Sequence, residues 1–220
     1  MDLGQRIAIY LGVFLLIWYA AAAFYNRRRG VRVYRWLQPG LKTLGAITEA
    51  KWIGSSGSGA RLAIAKPDRP FRRVEAAFLL ETRELLPLWL INRLRGRRDA
   101  LIIRADLRSA PKAELEIVPP EDRRLRGLRA DDKRGAWTTL ADLPAGFQGA
   151  GRGREVDRSS KETRSLLETE SGPIRHISIG YKPPHVIIEA DLTRLMTTPA
   201  ESFFAHLSEA YGGGPPQEER

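Results

Sequence analysis

The residues best equipped for chemistry are three histidines and a few carboxylates. His176, His185 and His206 could ligate a metal or carry a proton, yet they lack the HxxxH and HExxH spacings. Cysteine is absent. That removes the thiolates that would complete a zinc set, together with thiolate nucleophiles and disulfides, and suits a reducing compartment. His176 and His185 are instead expected to face each other across a hairpin as a structural pair. Asp106, Glu114 and Glu116 alternate along two short segments, so they read as a solvated strand face and not as an acid–base pair. Gly54-Ser55-Ser56-Gly57-Ser58-Gly59 has the composition of a phosphate cradle, but neither a helix start nor Lys-Ser/Thr follows it, and a flexible hairpin loop is expected. The run GAGRGR at 149 to 154 is also read as a loop, being shorter than repeated arginine-glycine segments that bind nucleic acid. No GxSxG elbow, Walker motif or dinucleotide fingerprint occurs. The sequence therefore predicts no catalytic, metal-binding or cofactor-binding residue, and no cofactor. An enzyme acting on lipid or an acidic substrate is the alternative class; it would need a polar pocket gathering Asp106, His185, Glu189 and Asp191.

The elements around these residues are organised by one stretch, Ile7 to Tyr25, which carries no charge and is followed by Asn26-Arg27-Arg28-Arg29. As a helix it covers about 28 Å, close to the hydrocarbon thickness of a bilayer. A single crossing must satisfy its own backbone, which leaves helix as its only conformation. Trp18, Tyr19, Phe24 and Tyr25 lie toward the basic end, where amphipathic rings suit the headgroup level. Arg27, Arg28, Arg29, Arg32 and Arg35 follow the run, whereas only Asp2, Arg6 and the amino terminus precede it. The positive-inside bias then keeps the C-terminal part in the cytosol. A cleaved signal sequence is the competing reading, disfavoured by a weakly basic start, a long apolar run and the arginines directly behind it. Half of the formal charge of +10 sits in the first 35 residues, where topology and anionic headgroups account for it without nucleic acid.

The 220 residues divide into an anchor with its basic flank at 1–29, a juxtamembrane connector at 30–46 interrupted by Pro39-Gly40, one cytosolic domain at 47–211, and a polar, disordered tail at 212–220. Trp36 in the connector has two open placements, at the membrane interface or packed on the domain. The domain is predicted to be α+β, with antiparallel β-hairpins covered by helices. Segments 47–53 and 61–66 form one hairpin. Arg73 to Glu81 is a strand with Val74, Ala76, Phe78 and Leu80 on one face. Ala100 to Leu107 and Ala113 to Val118 read as a hairpin with each other, and Ile174 to Tyr181 and His185 to Leu192 as another, turning at Lys182-Pro183-Pro184. Pro119 to Gly135 is a charged surface excursion. Helices are expected near 87–95, at 160–170 with Leu166 and Leu167 inward, and at 199–211 with Phe203, Phe204, Leu207 and Tyr211 docked on the sheet.

The helix near 87–95 is apolar nearly all round and ends in Arg93, Arg95, Arg97 and Arg98. It reads first as a helix buried across the sheet. The alternative lays it in the headgroup layer, with Trp89 and the leucines in lipid and the arginines on phosphate. The membrane-facing residues are expected to be Trp18, Tyr19, Arg27, Arg28, Arg29, Arg32, Arg35, Trp89, Arg93, Arg95, Arg97 and Arg98, the two arginine clusters holding the domain flat on the bilayer.

In element order the chain resembles the calumin family, the coiled-coil subunit of the PAT complex that chaperones multipass membrane proteins during insertion. The resemblance runs from the single anchor through the strand at 73–81, the Arg83-Glu84-Leu85-Leu86 turn into the following helix, and the strands at 100–107 and 113–118. It resumes from Leu143-Pro144 to the strand at 174–181. It implies a non-enzymatic, single-pass membrane protein whose partners are the lipid bilayer and other membrane proteins or insertion machinery. That family ends in a long charged coiled coil, whereas this chain ends in GGGPPQEER. A ribosomal RNA contact, the one nucleic-acid partner the resemblance suggests, loses its support there, and no functional residue carries over.

Overall fold

In a computed structural model of the protein, the residues described are 2–122, 124–125, 137–170 and 172–212. Leu3–Lys42 form one uninterrupted helix, α1, about 60 Å long. Asp2 and Gln5 cap its start reciprocally. The expected connector does not exist as a separate segment. Ala22, Asn26, Gly30, Val33, Leu37 and Leu41 recur at helical spacing and are buried, so the second half of α1 is a core helix of the domain. Pro39 lies inside it. A proline there costs roughly 3 kcal/mol, while burying Val33, Leu37 and Leu41 returns about 1.5–3 kcal/mol each, so packing decides. Gly40 marks a crossing and not a break: a Cβ there would lie 2.6 Å from Ala200 Cβ and 2.7 Å from the Phe204 ring. Trp36 packs on the domain, its indole N–H donating to the Thr198 carbonyl at 2.9 Å.

The strands are β1 (Glu49–Trp52), β2 (Gly59–Ile64), β3 (Phe71–Leu79), β4 (Ala100–Leu107), β5 (Ala113–Val118), β6 (Thr138–Thr139), β7 (Gln148–Gly153), β8 (Ile174–Ile179) and β9 (Val186–Asp191). They form one antiparallel sheet in the order β1-β2-β3-β4-β9-β8-β5-β7-β6. Alternation sets its two faces. Val74, Ala76, Phe78, Leu101, Ile103, Leu115, Ile117, Ile177 and Ile188 point to the buried side. The fold is α+β, as the sequence predicts. The hairpins β1-β2 and β8-β9 match expectation, but β4 and β5 do not pair with each other. The β8-β9 hairpin inserts between them, and Arg108 ties the linker to the start of β3 through the Pro67 and Phe71 carbonyls. GAGRGR is also corrected, since it is most of β7. Glycine has poor strand propensity but suits this strand: a Cβ at Gly151 would crowd Leu115 and Val156 at 2.7 and 2.8 Å, and Gly153 has φ +117° with the Lys112 carbonyl oxygen 2.6 Å from where a Cβ would lie. The free edge of β1 carries Glu49 and Lys51, a charged edge that discourages further strand addition. The Lys51 ammonium, with Arg61, holds the Glu49 carboxyl below its usual range.

The helices are α2 (Leu86–Leu94), α3 (Val156–Glu170), α4 (Leu192–Leu195) and α5 (Ala200–Gly212). The second half of α1, together with α3 and α5, covers the buried face of the sheet, and Leu166, Leu167, Phe203, Phe204, Leu207 and Tyr211 sit inward as expected. α2 does not cover the sheet. None of its residues is buried, which overturns the reading of it as a core helix. The charged excursion expected at 119–135 and the tail expected at 212–220 lie largely outside the described residues.

Burial pushes the Tyr211 hydroxyl well above its ordinary range. Because the folded value is raised, its contribution to stability is complete below about pH 10 and declines as pH climbs toward the folded value. Tyr211→Phe is expected to shift the onset of alkaline unfolding upward, measured by near-ultraviolet circular dichroism. An onset shared by both proteins would assign it to other groups.

Candidate membrane-proximal site

One end of the sheet gathers the C-termini of β1, β3, β5, β6 and β9 and the N-termini of β2, β4, β7 and β8. α1 emerges from the domain at that end, and three long-range polar residues fix the angle at which it does so. Asn26 on α1 is fully buried. Its amide N–H groups donate to the Glu81 carbonyl at 2.9 Å and to Glu84 Oε1 at 3.0 Å, while its carbonyl accepts from Arg83 Nη1 at 2.9 Å. Arg83 Nη2 reaches both oxygens of Asp99 at 3.0 and 3.1 Å. Asp99, 2% exposed, also accepts from the Glu81 backbone N–H at 2.9 Å and from Arg29 Nε at 3.3 Å. Every donor and acceptor of the Asn26 side chain is thus engaged, the condition on which a buried polar network stabilises. Beside it Gly30 admits the β1-β2 loop, since a Cβ there would fall 1.8 Å from the Ser56 carbonyl oxygen. The glycine-serine loop, expected to be flexible, is seated on α1.

The same end carries α2. The Trp18 and Trp89 rings lie 5.6 Å apart, and the Trp18 indole N–H donates to the Arg83 carbonyl at 2.9 Å. Trp18 therefore faces its own domain as much as its surroundings. Away from this contact α2 presents Leu88, Leu90, Ile91 and Leu94 outward, with Leu85 just before it, Leu94 being 80% exposed. Together with the exposed Phe14, Ile17, Tyr19 and Phe24 of α1, these make apolar surface on two neighbouring helices. These outward side chains of α2 are left exposed by the described fold.

The arginines divide by what they touch. Arg29 turns inward to Asp99 and Thr193, so the membrane-facing role expected for it is corrected: a carboxylate buried beside it is the stronger partner. Arg28 stacks over Phe24 at 4.4 Å. Arg28, Arg32 and Arg35 lie opposite the buried stripe of α1, but in a continuous helix Arg35 stands about 15 Å beyond Tyr25. That exceeds the Debye length of about 8 Å at physiological salt if α1 runs along the membrane normal. Arg93 approaches Glu81 at 3.8 Å. Arg98 donates to the carbonyls of Arg93 and Arg97. Arg95 and Arg97 make no side-chain hydrogen bond or ion pair among the described residues.

The carboxylates and histidines do not converge. His185 Nδ1 accepts from the Leu107 backbone N–H at 3.0 Å, and Asp191 caps α4 while pairing with Arg175. Both are committed to the fold. Glu189 lies on the open face paired with Arg124 at 3.4 Å, and Asp106 lies at the far end of β4. His176 opposes Glu189, not His185, and bonds Glu116 at 2.6 Å; Glu114 pairs with Arg152. In place of the expected histidine pair there is a His176–Glu116 cross-strand hydrogen bond, and on the face expected to be solvated Glu114 forms a cross-strand ion pair with Arg152. His206 meets Glu170 at 2.9 Å. Among the described residues no cluster of three or more metal-ligating side chains occurs.

The Asn26–Arg83–Asp99 network was not read from sequence, because its members are far apart along the chain and unremarkable singly. A signal did exist: an asparagine on the same helical face as Ala22, Gly30 and Val33 is a buried polar position awaiting partners. α1 is the one described helix long and apolar enough to span a membrane. No protein-family model matches the sequence, and no curated protein sequence matches it either.

Proposed function

We propose that this is a single-pass membrane protein whose sheet domain stands on the cytosolic side, rests against the bilayer through α2, and engages other membrane proteins there to assist their insertion or assembly. One observation carries the proposal: an apolar helix with no buried residue is held by a tryptophan pair against the spanning helix. If Ile7–Tyr25 occupies the hydrocarbon, Trp18 lies about 10 Å inside its basic boundary, and Trp89 with it. That depth suits a helix lying between headgroups and acyl chains. α1 and α2 then offer neighbouring apolar flanks to a transmembrane segment alongside, and helix packing in lipid needs only such close surfaces. Signal cleavage within Ala20–Ala23 would cut α1 between Trp18 and Asn26, which grip the same turn of the domain, and this supports an uncleaved anchor.

The test places a photo-crosslinking residue at Leu90 of the full chain in native membranes. Adducts to proteins carrying transmembrane segments are expected; adducts to lipid alone would contradict an interaction role. For orientation, protease added to sealed spheroplasts should spare the domain, and its digestion would reverse the topology.

A further inference from the structure

A cavity of about 980 Å³ opens on the uncovered face of the sheet at the end where α1 emerges, between Ile102 on its floor and the chain leaving α2. It is of the size that binds small molecules, typically about 300–1,000 Å³. Its charges are unequally paired. The carboxylates lining it are each met by a guanidinium: Glu81 by Arg83 at 3.0 Å, and Asp122 and Glu189 by Arg124 at 3.6 and 3.4 Å. Four arginines that line it have no carboxylate within ion-pair distance among the described residues. Arg95 and Arg97 make no side-chain bond, Arg98 bonds only backbone carbonyls, and Arg194 bonds the Gly172 carbonyl at 3.2 Å. A guanidinium offers five N–H donors in a planar fork matched to phosphate oxygens. Trp89 also lines the cavity, which connects it to the apolar surface of α2.

We propose that this cavity holds the headgroup of an anionic phospholipid, with Arg95, Arg97, Arg98 and Arg194 on its phosphate and its acyl chains lying along α2. The site rests on α2 being at headgroup depth, because only there do lipid chains leave the cavity directly into the bilayer. A lipid so bound neutralises the uncompensated arginines and holds α2 in register with the bilayer surface.

The experiment uses the full chain in a neutral detergent, with native mass spectrometry counting bound molecules after titration with short-chain phosphatidylglycerol, short-chain phosphatidylcholine or glycerol phosphate. One phosphatidylglycerol should be retained in preference to both other probes. Arg97→Gln with Arg194→Gln should weaken retention roughly a hundredfold, about tenfold for each charge-assisted hydrogen bond lost. Ile102→Trp, which fills the floor while leaving every arginine in place, should weaken it similarly. Retention unchanged in both variants would overturn the site, and so would equal retention of phosphatidylcholine. Glycerol phosphate held as tightly as the lipid would assign the cavity to a soluble phosphate instead. Ile102→Trp leaves the apolar face of α2 intact, so loss of its lipid with α2 still seated in membranes separates this site from the seating itself.

Discussion

Asp99→Ala is expected to lower the unfolding free energy by about 3–5 kcal/mol, the range for removing one partner of a buried ion pair. Asp99 is the acceptor on which Arg83, Arg29 and the Glu81 backbone converge. Without it two largely buried guanidiniums face each other with Glu81 as the nearest compensation. The loss is a large part of a domain's usual 5–15 kcal/mol. It should also release the anchor, because Arg83 is the donor that holds the Asn26 carbonyl. A denaturant series on the full chain in detergent micelles, for Asp99→Ala, Arg83→Met and the double variant, checks both points. The two single costs should exceed the double-variant cost when summed, as they do for residues in one network. Additive costs would mean that the pair does not act as a unit and that α1 is positioned by core packing alone.

The second large effect is confined to the membrane. Leu90→Glu with Leu94→Glu should leave stability in detergent within about 0.5 kcal/mol of wild type, as for exposed positions, because neither side chain is buried. In liposomes the same change places two carboxylates where leucine side chains would otherwise gain about 1.5–3 kcal/mol each from leaving water. α2 should lift, and trypsin should then cut at Arg93, Arg95, Arg97 or Arg98 at least tenfold faster than in wild type. Equal cleavage of both proteins would put α2 in water from the outset.

How much of this was legible depended on the range of the interaction behind each feature. β3, β4, β5, β8 and β9 were readable because their apolar residues alternate, a signal carried within a few positions. α5 was readable from its proline, its acidic first turn and its apolar face. The core half of α1 was hidden by the arginines on its opposite face and by Pro39-Gly40, two residues that usually end a helix and here mark its crossing with α5. β7 was hidden because its glycines are set by close neighbours outside the strand, among them Leu115, some thirty-five residues earlier. The separation of β4 from β5 followed from a hairpin formed some seventy residues later. Of the network of Asn26, Arg83 and Asp99, only Asn26 has a local signature, its place on the buried face of α1. For α2 the composition was clear and its meaning was not, since a helix apolar on every side fits a protein core and a lipid boundary equally. Only its position beside Trp18 separates the two.

On the proposed arrangement α2 lies in the bilayer alongside a spanning α1. The chain contains no cysteine, so a single introduced cysteine can carry a nitroxide at a known place. With Leu94→Cys labelled in full-length protein in anionic liposomes, electron paramagnetic resonance power saturation should show strong relaxation by oxygen and weak relaxation by a water-soluble nickel chelate, setting the label below the phosphate plane. Tyr181→Cys, in the β8-β9 turn at the opposite end of the sheet, should show the reverse. A Leu94 label as open to the nickel chelate as the Tyr181 label would place α2 in water and rule that arrangement out.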